Sequence, residues 1–335
     1  MSKFKIAIIT LLMVILAISC SNNKRFEIKN SETEVLQLIR FDSLLLHADT
    51  SDLSNEVKRF YRDYPEFMPY FAEQIMGVNP TDTLEVVRLI KAFRTNKEFE
   101  KVNADVRKTF ENTDLIQSNI AIAYQYLNQY FPEIKTPPVY FFVSGFNRSI
   151  ILEDEFVGIG LDMYLGNNYP KYEEITYKYM IYNMRPASIA PDLISAILFR
   201  HFKFDSDQER LLENMLYRGK VMYLLSVIMP EINPNDIMGY TRMQWEWCRK
   251  YEDKIWNTIV KQKDLYSTDQ LLQNKYLNDA PFTSPVSQES PGRLGTWIGW
   301  QIIQSYMENN TDITLQKLME TTDYQQILNN SEYNP

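Results

Sequence analysis

Histidine is the side chain most often used as a general base or zinc ligand. It occurs only twice in this 335-residue chain, as His47 and His201. H-E-x-x-H needs two histidines one helical turn apart, so that metal site is excluded. His201 lies in Phe199-Arg200-His201-Phe202-Lys203 at the end of an apolar helix. An imidazole there suits the helix dipole. The G-x-S-x-G elbow and the two phosphate-cradling glycine loops are missing, and Gly158-x-Gly160 alone does not replace them. The carboxylate pairs Glu153/Glu155, Asp205/Asp207 and Glu209/Glu213 read as solvated faces without calcium-loop spacing. No cofactor pattern is legible.

One segment stands apart. Ser290-Pro291-Gly292-Arg293-Leu294-Gly295-Thr296-Trp297-Ile298-Gly299-Trp300 holds three of the ten glycines and two of the five tryptophans. Ser290-Pro291-Gly292 predicts a turn, because Pro fixes φ and Gly accepts a positive one. Ile298, Ile302, Ile303, Tyr306 and Met307 then recur at helical spacing. Gly295 and Gly299 share a face of that helix. A helix keeps Gly at a cost of about 1 kcal/mol against Ala, so close approach of another backbone is expected. The alternative reading makes the segment a lined cleft with Arg293 at its mouth, the setting of an unrecognised hydrolase site somewhere between Ser290 and Trp300. Tryptophans 247 and 256 lie on an apolar face and read as core. Trp245 and Trp300 leave room for a sugar-binding platform.

The elements that position these residues follow from periodicity. A strand is expected over Val35 to Phe41, then a helix from about Asp42. Five amphipathic helices follow before Pro132. Their faces are Leu53/Val57/Phe60/Tyr61, Phe67/Phe71/Ile75, Leu84/Val87/Ile90/Phe93, Phe99/Val102/Val106/Phe110 and Ile116/Ile120/Tyr124/Leu127. Short strands are predicted at Pro138–Val143, Ser149–Leu152 and Phe156–Leu161. Gly158 and Gly160 mark a close contact on one face of the last. Helices resume around Leu193–His201, Leu211–Leu225 and the last 90 residues. There Met243, Trp247, Tyr251, Ile255 and Ile259 predict one long helix. Pro230 and Pro234 bracket a loop. The expected class is α+β, predominantly helical, with a small sheet followed by helices.

Forty-five percent hydrophobic residues are enough for a substantial core. A net charge of −8 argues against general nucleic-acid binding. The N-terminus carries Lys3 and Lys5, an apolar run from Ile6 to Ile18, and Ala17-Ile18-Ser19-Cys20. This predicts a cleaved signal peptide over residues 1–19. It also predicts a lipid-modified Cys20, a polar tether over 20–30 and a single domain over 31–335. Ser21 is not Asp, and no acidic cluster follows it, so an outer-membrane anchor facing the periplasm is expected. Cys248 is then left without a disulfide partner and reads as a buried hydrophobe.

Several stretches carry a resemblance: Ile39-Arg40-Phe41-Asp42, Val157 to Gly166 with Asp162 inside it, Gly219-Lys220-Val221-Met222-Tyr223, Gly239-Tyr240-Thr241, Asp279 to Thr283 and Ser290 to Ile302. Together they resemble the gliding motility lipoprotein GldB family of Bacteroidetes, over nearly the whole chain after Cys20. The resemblance implies an envelope lipoprotein required for gliding, working beside the motility and protein-secretion machinery, without catalytic activity. The layout is also similar to predicted zinc peptidases. On that kinship, a degenerate zincin-like architecture, the helix from Asp192 to His201 occupies the metal position without ligands. Arg218-Gly219 stands where such enzymes offer Glu-Gly. The candidate surface is Asp162, Ser290, Arg293, Gly295, Trp297, Gly299 and Trp300, with membrane contact through Cys20. The alternatives are a lipid-anchored hydrolase and a zincin-derived binding protein.

Overall fold

The computed structural model describes residues 25–28 and 36–335. The predicted signal peptide, Cys20 and much of the tether lie outside the described residues. A four-stranded sheet, in the order β1-β2-β4-β3, divides the molecule. β1 (Leu38–Arg40), β2 (Val139–Phe142) and β4 (Val157–Gly160) run parallel, and β3 (Ile150–Leu152) pairs antiparallel to β4. Every residue of β2 and β4 is buried. Both faces are covered, which is why these strands read as unbroken apolar runs.

Alternation along the strands sends side chains into two cores. Tyr140, Phe142 and Ile151 face the smaller one with Phe41, Phe60, Phe67 and Phe71. Its helices are α1 (Phe41–His47), α2 (Leu53–Asp63), α3 (Phe67–Tyr70, continued as a π turn to Ile75) and α4 (Thr83–Thr95). Phe41 makes edge contacts with Phe60, Phe67 and Phe71 at centroid distances of 5.5, 4.9 and 5.2 Å. Val139, Phe141, Val157 and Ile159 face the larger core. That core is built on α5 (Lys97–Thr109), α6 (Asp114–Tyr130), α9 (Ile189–His201), α10 (Leu211–Ile228) and α15 (Leu294–Asn309). Between β4 and α9 lie a 3-10 turn (Leu161–Tyr164) and the short helices α7 (Tyr172–Ile175) and α8 (Lys178–Ile181). The chain continues after α10 through α11 (Pro234–Met238), α12 (Arg242–Lys250), α13 (Glu252–Lys261) and α14 (Gln270–Leu277). It ends in α16 (Leu315–Glu320) and α17 (Tyr324–Ser331).

The class matches the sequence reading: α+β, predominantly helical. Two local readings change. α4 buries Val86 and Ile90, whereas Leu84 is 78% exposed. Val86 and Ile90 are four residues apart on one face, while Leu84 lies about 120° around the helix from Ile90. The predicted long helix from Met243 is two helices. Tyr251 leaves helical geometry at φ −116°, ψ 21°, so Ile255 and Ile259 are buried while Met243 points outward. The expected loop between Pro230 and Pro234 is present, and Pro234 opens α11 at a position where a missing N–H costs nothing.

Candidate functional site

The loop before α15 is held by buried polar side chains. Thr283 Oγ1 donates to the Pro291 carbonyl at 2.9 Å and accepts from the Leu294 N–H at 3.2 Å. It thereby satisfies one of the first N–H groups of the helix. Ser290 Oγ accepts from the Thr283 N–H at 3.0 Å and donates to the Ser287 carbonyl at 2.7 Å. Both hydrogen-bonding capacities of the Ser290 hydroxyl are engaged by backbone. Gly292 packs on Ala280, where a side chain would overlap main chain.

Arg293 then adopts φ +61°, ψ 26° as the residue before α15. A left-handed conformation costs a non-glycine residue on the order of 1–2 kcal/mol. Its guanidinium is held by Asp279 at 3.0 Å, by the Met238 carbonyl and by the ring of Tyr240 at 5.7 Å. Arg293 therefore bridges three segments. It is a clamp joining the 279 loop, the end of α11 and the start of α15.

Asp192, in the first turn of α9, sits in the field of this clamp. Tyr164 Oη donates to Asp192 Oδ2 at 3.1 Å. Burial pushes the Asp192 carboxyl up to about 7. Tyr164, Arg293 and Arg185 oppose that shift, and Asp279 adds to it. Arg185 pairs with Asp236 at 2.7 Å. Arg218, on α10, donates to the Leu277 carbonyl at 2.5 Å and to Asn278 Oδ1 at 3.2 Å. Burial, then the charge of Arg293, lowers its pKa. Around this cluster Asn183 Oδ1, Arg185 Nε, Ser188 Oγ and Thr296 Oγ1 are buried without a protein partner. A concentration of unmet polar groups is uncommon in a protein interior.

Asp162 is a fixed support for it. Its carboxylate accepts from the Ser144 N–H at 2.8 Å, Ser144 Oγ at 3.1 Å and the Phe146 N–H at 2.5 Å. Its carbonyl accepts from Tyr172 Oη at 2.8 Å. Burial raises its pKa and these hydrogen bonds oppose the shift. Pinning Asp162 fixes the 3-10 turn, which carries Tyr164 two residues on toward Asp192.

The remaining sequence candidates separate by neighbour. Gly299 meets the Met215 backbone and Gly219 meets Gly299, so α10 and α15 touch main chain to main chain. Gly295 instead meets Tyr276 and Leu277 of α14, with a hypothetical Cβ 3.1 Å from Tyr276 Cβ. Trp297 is fully buried. Trp300 is 3% exposed and lines a different groove, with Trp245 5.6 Å away. Cys248 is buried and unpaired, and burial holds its thiol above the usual range. His201 Nε2 lies 3.7 Å from Glu133, and His47 bonds to Ser43 of its own helix. Neither touches Ser290, so the structure does not assemble a serine–histidine pair on the predicted segment. Among the described residues no group of three or more His, Cys, Asp and Glu is placed to hold a metal ion.

Asp192, Tyr164 and Arg185 were not among the sequence candidates. Tyr164 and Asp279 nevertheless lie inside stretches that carry the resemblance, Val157 to Gly166 and Asp279 to Thr283.

A family model described as gliding motility protein GldB matches residues 21–335. Comparison with curated proteins gives no match, and comparison with solved structures gives none either.

Proposed function

We propose, from the premise that the chain belongs to the gliding motility protein GldB family, that it works as a lipid-anchored, non-enzymatic component of the cell envelope. It acts by contact with the motility and protein-secretion machinery, on the periplasmic side of the outer membrane. Its anchor is Cys20. No helix among the described residues is long and apolar enough to cross a membrane, so the proposed acyl chain supplies the hold.

The observation that carries this reading is the docking of the segment just after Cys20. Arg25 Nη1 donates to the Met307 carbonyl at 2.8 Å, and Arg25 Nη2 reaches the carbonyls of Asn310 at 3.4 Å and Ile313. Met307 lies in the last turn of α15 and Asn310 directly follows it, so a cation here is favoured by the helix dipole. Gln129 and Tyr130 bond the Glu27 carbonyl, and Phe26 packs edge-on against Tyr130 at 6.2 Å. Five residues of chain reach at most about 18 Å. An acylated Cys20 would therefore hold the body close against the leaflet, in a restricted orientation.

The non-enzymatic part is supported by the engagement of Ser290 with backbone and by the closure of Arg293 onto Asp279. The experiment is in-cell crosslinking from residues introduced around Arg25 and Arg293, followed by pull-down and mass spectrometry. Co-recovered envelope proteins are expected, together with a Cys20 peptide bearing acyl chains. An unmodified Cys20 peptide and no crosslinked partner would overturn the proposal.

A further inference from the structure

A groove of ≈ 760 Å³ runs beside the outer face of α15 and is independent of the Asp192–Arg293 cluster. Its size lies within the range of small-molecule sites, about 300–1,000 Å³. Trp245 and Trp300 form its aromatic wall, 5.6 Å apart at 55°, and Tyr223 of α10 also lines it. Trp245 is half-buried, so part of its indole remains open to an occupant.

The polar lining narrows the chemistry. The groove holds four carboxylates (Glu27, Glu231, Glu252 and Glu308) against two arginines, Arg25 and Arg249. Arg25 is already spent on three carbonyls. An anionic ligand would meet net repulsion. A purely cationic one would leave the buried Gln301 Nε2 without an acceptor, and that amide nitrogen has no partner among the described residues. The occupant must offer acceptor oxygens to Gln301 and Gln304, hydroxyl or amide hydrogens to the carboxylates, and an apolar face to the indoles. A neutral pyranose ring combines all three.

We propose that this groove binds a neutral oligosaccharide, with Trp245 as the stacking platform and Gln301 and Gln304 as hydrogen-bonding partners. The site does not depend on lipidation or on any motility role, so its test stands apart from theirs.

Tryptophan fluorescence of the detergent-solubilised full-length protein is titrated with N-acetylchitotetraose, cellotetraose and, as the cationic alternative, pentalysine. A saturable change with at least one of the two sugars is expected. Trp245→Ala should weaken it about tenfold or more, as loss of an aromatic contact does. Because Trp245 also packs on Trp297, at 6.1 Å, the exposed Gln304→Ala is made alongside it. This variant should keep the wild-type melting temperature and bind severalfold more weakly. Silence with both sugars, unchanged binding in the two variants, or a response to pentalysine alone would overturn the proposal.

Discussion

Gly219 and Gly299 sit where α10 and α15 cross, and each occupies space that a methyl group would have to share with the other helix's main chain. A Cβ on Gly219 would overlap the carbonyl of Gly299. One on Gly299 would overlap the Met215 carbonyl. The larger core is built around this crossing, and the neighbouring Lys220 is 1% exposed within it.

Gly299→Ala should therefore destabilise the protein, although Ala is the better helix former. Overpacking against backbone costs about 1–3 kcal/mol or more, against roughly 1 kcal/mol gained in propensity. Urea unfolding is expected to show a lower midpoint for Gly299→Ala. Leu84→Ala, at an exposed site, should stay within about 0.5 kcal/mol of wild type. A Gly299→Ala protein as stable as wild type would show that the helices can separate freely.

Lys220 should destabilise the fold at neutral pH. Burial lowers its pKa to about 7, and among the described residues its ammonium meets the Thr321 carbonyl and the Tyr324 ring, 4.7 Å away. The unfolded chain holds its proton up to about pH 10.4. The native state releases that proton earlier, so this residue's contribution to stability rises with pH between about 7 and 10. It is fully lost below about 7. Lys220→Met is expected to flatten that slope and raise stability at pH 7, measured by denaturant unfolding across the range.

Asp192 gives a slope of opposite sign at lower pH. Its folded pKa of about 7 exceeds the unfolded value near 3.9. Its contribution is fully present below about pH 4 and is lost as pH rises through 7. Asp192→Asn keeps the acceptor for Tyr164 and removes the titration. Stability of the variant between pH 4 and 7 should depend less on pH than that of wild type. An identical profile would place the Asp192 carboxyl in ordinary solvent.

Arg25→Ala should release the docked segment while leaving the body folded. Limited proteolysis is expected to cut faster between residues 20 and 40, with the melting temperature shifted little. Unchanged cleavage would show that Phe26 and Glu27 hold the segment without the arginine.

The sequence already exposed much of this fold because its strongest signals are local. Asp82 accepts from the Glu85 N–H at 3.1 Å, and Thr241 with Gln244 forms a reciprocal cap, as their spacing predicts. The run Val139–Phe142 reads as a doubly covered strand because neither face needs polar residues. Gly299 announced a close backbone contact. It could not name Gly219 as the partner, since 79 residues intervene. Nor could it show that Gly295, one turn away, serves α14 instead. The Asp192 cluster was hidden for the same reason. Tyr164, Arg185, Arg218, Asp236, Asp279 and Arg293 are brought together by tertiary packing, with no spacing that marks them as one unit. Even the segment that looked most reactive is structural at Ser290, whose hydroxyl closes a turn.

Colony spreading tests the central claim most directly, in cells where the chromosomal gene is replaced by variants. Cys20→Ser should abolish spreading. The double variant Ser290→Ala/His201→Gln removes the hydroxyl and imidazole that a hydrolase would need, and should spread like wild type. Normal spreading with Cys20→Ser, or loss of spreading in a stably folded double variant, would contradict an anchored protein that acts through contact alone.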